Sequence, residues 1–254
     1  MIRKIYRKIA KSRSLNQLQV DKDFNPPLSS PYYLIRRGIL EGVFEQSQYM
    51  KGRLLDFGCG TKPYSKLFPE VTEYIGLDFE NAGHSHEHEQ IDFFYDGKKI
   101  PFTDNSFDAI LSTEVFEHIF NIDELLSELY RVLKPGGHML ITCPFVYVEH
   151  EIPYDYARYT QFALKYLLEK SGFEVVLLDK KGNLKETIAQ QAILGQLNNI
   201  KYFGLLKNFD WFKRFYASFI ALCYNIPVIT FGKIIPASFH LYTSNIVVAR
   251  KLAD

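Results

Sequence analysis

The segment Leu54-Leu55-Asp56-Phe57-Gly58-Cys59-Gly60-Thr61 runs from an apolar stretch into a turn carrying two glycines, and Asp78 closes the next apolar stretch. Glycines in such a turn let a ligand approach the backbone closely. A carboxylate roughly twenty residues further on, at the end of the neighbouring strand of a doubly wound sheet, meets a ribose diol. A nucleoside-type cofactor is the chemistry implied. A nicotinamide dinucleotide would want a third glycine where this chain has Pro63. Plain strand-end packing is the bland reading of the same residues, and Asp78 at its expected spacing argues against it.

A second constellation is His150-Glu151-Ile152-Pro153-Tyr154-Asp155-Tyr156-Ala157-Arg158-Tyr159-Thr160. If it leaves the carboxyl end of a parallel strand, it faces the ligand crevice. His150 is then the first candidate for a general base, Glu151 and Asp155 for orienting carboxylates, and Arg158 for an anion-binding fork. The competing reading is that these side chains cap the following helix and satisfy one another. His118 either hydrogen-bonds backbone at a helix start or takes a direct chemical role. His84, His86 and His88 alternate as one face of a strand would. Set among Gly83, Glu87 and Glu89, they read as a solvated loop, and no metal is expected.

These residues need elements to hold them. From residue 53 short apolar runs alternate with stretches of helical spacing, the pattern of a parallel sheet with crossover helices. Strands are expected over 53–57, 74–79, 90–95, 107–112, 138–143, 173–178 and 241–249. One helix is expected over 122–133, with Asn121 as N-cap and Lys134-Pro135-Gly136-Gly137 as its stop. Another follows Thr160, with Phe162, Tyr166 and Leu167 sharing a face, and closes at Ser171-Gly172. The fold class is α/β: a Rossmann-like, seven-stranded, mostly parallel sheet whose last strand is antiparallel.

The motifs taken in order resemble the small-molecule class I S-adenosylmethionine-dependent methyltransferases. The resemblance rests on Asp56-Phe57-Gly58-Cys59-Gly60, then Asp96-Gly97, Ile100-Pro101-Phe102, Asp104 and Ser106-Phe107-Asp108. Glu117-His118 and Arg131-Val132-Leu133-Lys134-Pro135-Gly136-Gly137 complete it. It implies S-adenosyl-L-methionine as cofactor. Asp56 with the backbone of Gly58, Cys59 and Gly60 would hold the methionine moiety, and Asp78 the ribose. Phe79 would lie against the adenine, Asp96 beside Gly97 would accept from the adenine amino group, and Ser112 and Thr113 would floor the site near the methyl group. Segments similar to 150–160 occur in methyltransferases of bacterial surface-polysaccharide and glycolipid pathways, which implies O-methylation of a sugar-containing or lipid-linked small molecule. A quinone or phenolic lipid acceptor is the alternative, as is a non-catalytic, cofactor-binding subunit. The chain departs from the family pattern in a short connection over 80–89 and in a long insertion before the last strand.

The 254 residues, 47% of them hydrophobic, suffice for one full core. A net charge of +1 speaks against a nucleic-acid partner, and three widely spaced cysteines against a disulfide framework. The organisation read from the sequence is a basic N-terminal arm and linker over 1–50, a cofactor-binding core over 51–182, a helical, aromatic-rich insertion over 183–240, and a final strand with the C-terminus over 241–254. Residues 215–232 are uncharged and apolar, near the lower limit for a bilayer span. Asn225 and Pro227 interrupt them, and a single crossing would strand the last strand beyond the membrane. The expectation is a buried lid or a surface-lying element. With the basic residues of 1–13 and the aromatics of 202–235, it points to a cytoplasmic protein held peripherally on the inner membrane face.

Overall fold

The computed structural model describes residues 20–79, 87, 89–232, 234 and 236–253. The basic stretch 1–13 and His84, His86 and His88 lie outside the described residues. A single seven-stranded sheet organises the chain: β1 (Gly52–Phe57), β2 (Val71–Phe79), β3 (Phe93–Tyr95), β4 (Phe107–Thr113), β5 (Leu133–Pro144), β6 (Phe173–Lys181) and β7 (Ser244–Lys251). Their order is β3-β2-β1-β4-β5-β7-β6. β1 to β5 pair in parallel, and β7 lies antiparallel between β5 and β6. The order turns back between β1 and β4, so the loops leaving these two strands splay apart and open a crevice at their carboxyl ends.

Alternation along the strands feeds two cores, one on each face of the sheet. Leu55, Phe57, Ile110 and Ile141 pack with Leu125, Leu126 and Leu129 of helix α2 (Ile122–Val132) and with Leu164 and Leu168 of α3 (Gln161–Lys170). Leu54, Leu111, Leu140, Ile246 and Val248 pack with Ile35, Ile39, Leu40 and Val43 of α1 (Tyr33–Glu45). Helix α1 corrects the reading of residues 1–50 as arm and linker. Its apolar residues recur at helical spacing, but the prolines before it and the absence of a side-chain cap at Tyr32 hide its start.

One further expectation changes. Asn121 does not cap α2; its amide turns instead to Glu124 at 3.4 Å. On α3, whose face bearing Phe162, Tyr166 and Leu167 is read from spacing alone, Phe162 and Tyr166 are 74% and 67% exposed, while Leu164 and Leu168 are buried and Leu167 packs against the core. Thr160 does cap that helix, accepting from Ala163 N at 3.2 Å.

The insertion is helical, with α4 (Leu184–Leu197) and α5 (Asp210–Phe231). Asn183 and Glu186 form a reciprocal capping box at the start of α4. Helix α5 continues through Asn225 and Pro227, and of its residues only Ala221 and Asn225 are buried. It is 22 residues long and holds an 18-residue window of mean hydropathy 1.2, so by length and composition it could cross a membrane. The chain after it returns as β7 between two strands of the sheet, so a single crossing is incompatible with the fold. The insertion also anchors the approach to α1. Gln190 donates to Pro31 O at 2.8 Å and accepts from Ile35 N at 3.2 Å, and Asn225 donates to Leu28 O at 2.8 Å.

Candidate active site

A cavity of about 200 Å³ lies where the strand order reverses, lined by Gly58, Cys59, Gly60 and Thr61 after β1 and by Thr113 at the end of β4 and Glu114 just beyond it. Tyr147, His150 and Glu151 after β5 complete one wall, and Ile35, Arg36 and Ile39 of α1 with Phe24 roof it. The glycine turn of the first constellation and His150 and Glu151 of the second therefore meet in one space, whose lining does not include Asp56, Asp78, Asp155 or Arg158. The roof comes from the segment the sequence presents as a linker.

The glycine turn is held rigidly. Gly58 N and Cys59 N both donate to Leu77 O, at 2.8 and 3.2 Å, which ties the turn to β2. Gly58 and Gly60 have φ of +74° and +45°, a left-handed backbone that favours glycine. A Cβ at Gly58 would sit 2.3 Å from Val115 Cγ2, so a side chain there is barred twice over. Asp78 at the end of β2 reaches across and accepts from Gly60 N at 2.8 Å and from Phe79 N at 2.7 Å. Asp56, 2% exposed, accepts from the Tyr74 hydroxyl at 2.5 Å through Oδ2, while its buried Oδ1 has no hydrogen-bond partner. Burial pushes the Asp56 carboxyl up to about 7 against the pull of the Tyr74 bond, and the Asp78 carboxylate adds to the rise.

These features fit a cationic nucleoside cofactor. An orphaned carboxyl oxygen stands beside a glycine cradle, and a second carboxylate closes the neighbouring strand. Phe79 sits edge-on to Tyr95, with its ring 3.0 Å from where a Cβ on Gly97 would stand. Asp96 is exposed, and its Oδ1 accepts from Lys98 N and Lys99 N at 2.9 and 3.3 Å. Ser112 is fully buried, and Thr113, not Ser112, lines the cavity. The Cys59 thiol packs toward Gly76, where burial raises it above its ordinary range. Arg131 is structural: it binds the carbonyls of Ile100 and Phe102 and the carboxylates of Asp104 and Glu128 at 2.7 to 3.0 Å.

The loop after β5 is organised differently from the sequence reading. Arg158 does not present its fork to the cavity. Its two terminal nitrogens grip Asp155 at 2.5 and 2.6 Å, and they also donate to Ala157 O and Val148 O. Burial favours a protonated Asp155, yet these bonds and the His150 N–H outweigh it and hold the carboxyl at about 2. The mutual-satisfaction reading thus describes Asp155 and Arg158. His150 does reach the cavity, and burial and the neighbouring His118 ring lower its basicity.

Sequence reasoning passed over Glu114 as a functional residue and gave Glu117 no role beyond the motif. Both are acidic, three apart, in the segment that leaves β4; that spacing and place are the signal that could have found them. Glu114 has a φ of +54°, an unusual conformation for a residue with a side chain, and its N–H is held by Thr142 O at 2.9 Å. Its buried Oε1 has no partner, and neither oxygen of Glu117 has one. Burial pushes both carboxyls up, and Glu114 reinforces the rise at Glu117.

Residues 32–178, more than half of the chain, match the family described as a methyltransferase domain. The chain is 30% identical over 168 residues to a protein of Mycolicibacterium smegmatis named "Probable S-adenosylmethionine-dependent methyltransferase", covering 59% of this chain and 63% of that one. It is 34% identical over 134 residues to a fatty-acid O-methyltransferase of the same species, covering 48% of each. The chain thus spans under two thirds of the length of these curated relatives. Among solved structures it is similar to the cyclase SpnF, with a TM-score of 0.51 at 22% identity over 86% of this chain and 82% of that one. That likeness concerns the fold alone.

Proposed function

The chain belongs to the family of methyltransferase domains, of the class I S-adenosylmethionine-dependent kind, and on that premise we propose that it methylates a hydroxyl of a lipid or lipid-linked acceptor at a membrane face. Its cofactor, S-adenosylmethionine, supplies an electrophilic methyl group on a sulfonium. Asp56, the Gly58 to Gly60 turn and Asp78 are the residues that would hold it. The chain's remaining tasks are to orient the acceptor, exclude water and take up the hydroxyl proton. Orientation alone is worth roughly 7–11 kcal/mol of barrier.

The observation that carries the reading is the shared cavity, which brings the glycine turn within one small space of Glu114, His150 and Glu151. The sequence nominates His150 as the proton acceptor. We assign that role to Glu114, because it lines the cavity, carries an unpartnered oxygen and is fixed in place by its backbone bond to Thr142. Sequestration comes from α1, whose approach is pinned by Gln190 and Asn225 of the insertion.

The lipid character of the acceptor is supported by the surface of the insertion. Trp211, Phe215, Phe219 and Phe231 on α5 are 64, 61, 54 and 63% exposed, and Tyr202 and Leu205 before it are 75 and 81% exposed. Trp211, Phe215 and Phe219 recur four residues apart, and Phe215 stacks on Phe219 with ring centres 6.2 Å apart, so α5 presents an exposed aromatic face of the kind that meets an interaction partner. Lys207, Lys213 and Arg214 beside it suit anionic headgroups. The similarity to a fatty-acid O-methyltransferase points the same way.

The test is transfer of isotope-labelled methyl from S-adenosylmethionine into a total lipid extract and, separately, into soluble glycans. The expected outcome is label in the lipid fraction. Glu114→Gln should lower the rate about 10²–10⁴-fold with S-adenosylhomocysteine affinity nearly unchanged. Label confined to the soluble fraction would overturn the acceptor reading, and an unchanged rate in Glu114→Gln would remove Glu114 from the chemistry.

A further inference from the structure

Behind the cavity wall, the 3-10 turn Phe116–His118 and the loop after β5 bring three metal-ligating groups together. Glu117 Oε1 lies 3.8 Å from His118 Nε2 and 3.9 Å from His150 Nε2, and all three atoms fall within 4.8 Å of one another. We propose that Glu117, His118 and His150 hold a divalent first-row transition-metal ion, with Glu151 as a fourth ligand. Glu151 Oε2 stands 3.7 Å from His118 Nε2.

Three features carry this beyond proximity. Glu117 is 0% exposed, and both its carboxylate oxygens lack any hydrogen-bond partner. A buried oxygen left unpaired destabilises the fold, and protonating the group would still leave a donor unmet. A cation is the partner that answers both oxygens. The second feature is the outward side of each imidazole. His118 Nδ1 is 2.8 Å from Tyr154 O, and His150 Nδ1 is 3.3 Å from Val148 O and 3.3 Å from Asp155 Oδ2. A hydrogen on Nδ1 serves those acceptors, which leaves the Nε2 lone pair of each ring directed at Glu117. This is how ligating histidines are oriented by the groups behind them. The third is the clamp on the frame itself: Tyr156 N and Ala157 N both donate to Glu117 O, at 2.8 and 3.2 Å, so the turn and the loop hold a common register.

Metal–ligand bonds of about 2.0–2.2 Å in a tetrahedron imply ligand–ligand edges of roughly 3.3–3.6 Å. The Glu117–His118, Glu117–His150 and Glu151–His118 edges, at 3.8, 3.9 and 3.7 Å, need to close by only a few tenths of an ångström. Two imidazoles with one or two carboxylates select zinc, cobalt or manganese over magnesium and calcium, which take oxygen ligands. His150 and Glu151 also line the cavity, so the ion would border it. The inference goes beyond methyl transfer and stands without it.

Untagged, metal-stripped protein is titrated with Co²⁺ and with Zn²⁺, followed by visible absorption and calorimetry, with histidine ring NMR during the Zn²⁺ titration. One equivalent should bind, the Co²⁺ bands should take the intensity of a four- or five-coordinate site, and the ring signals of His118 and His150 should shift. Glu117→Gln, His118→Ala and His150→Ala should each weaken binding at least tenfold; Glu117→Gln keeps the buried shape, and thermal melting verifies that all three fold. A Co²⁺ spectrum that stays that of the aqueous ion, or equal binding in wild type and all three folded variants, would overturn the assignment.

Discussion

Replacing Gly58 by alanine tests how the site's central turn is built. The residue has a φ of +74°, which costs a residue with a side chain about 1–2 kcal/mol. Its new Cβ would stand 2.3 Å from Val115 Cγ2 and 3.0 Å from Cγ1. The turn cannot easily retreat, because Gly58 N and Cys59 N are both bonded to Leu77 O. Overpacking of this kind costs about 1–3 kcal/mol, so Gly58→Ala should lose about 2–5 kcal/mol in all, a large share of the stability of about 5–15 kcal/mol typical of a domain. The two terms separate in a double-mutant cycle with Val115→Ala, measured by urea unfolding. The double mutant should recover about 1–3 kcal/mol, the steric part, and retain the backbone part. S-adenosylhomocysteine affinity, measured by calorimetry, should fall in Gly58→Ala and return only in part. A Gly58→Ala protein within about 0.5 kcal/mol of wild type, the range of a neutral surface change, or a cycle with no coupling, would refute the reasoning.

Asp78→Ala should weaken S-adenosylhomocysteine binding at least tenfold, because Gly60 N and Phe79 N lose their acceptor and the ribose its carboxylate; unchanged affinity in calorimetry would exclude Asp78 from the site. The Asp56 carboxyl, raised by burial to about 7, ionises at a cost to the folded state. That cost is absent below the ordinary carboxylate range near pH 4 and complete above about pH 7, so stability is lost as pH rises across this window. Denaturation of wild type and Asp56→Asn from pH 4 to 8 should show the difference moving in favour of the variant as pH rises, and a pH-independent difference would contradict the burial argument. Intact protein should float with anionic vesicles, and changing Trp211, Phe215 and Phe219 to serine should abolish flotation without unfolding, since these side chains are exposed; absence of wild-type flotation at low salt would sink the membrane reading.

The elements of the sheet are legible in the sequence because each is a local pattern. Leu54-Leu55-Asp56-Phe57 is a short apolar run closed by glycines, and β4, β6 and β7 are read within a few residues for the same reason. The glycine turn and Asp78 are equally local, since a left-handed turn and a strand-end carboxylate announce themselves by residue type and spacing. Tertiary structure decides which groups lose water and which partner each one finds. Arg158 reads as an open fork until Asp155 takes both its terminal nitrogens. Phe162 and Tyr166 share a face by spacing alone, and only the packed sheet decides that this face meets solvent while Leu164 and Leu168 are buried. Helix α1 becomes the roof of the site only because β1, β4 and β7 offer an apolar face for Ile35, Ile39 and Val43 to cover. Glu114 and Glu117 look like ordinary surface acids in a one-dimensional reading. Their burial, and the two imidazoles turned toward Glu117, arise from two loops more than thirty residues apart that the sheet brings to one edge, as His118 and His150 at 4.7 Å between ring centres show. Burial and pairing depend on long-range neighbours, and no local spacing encodes them.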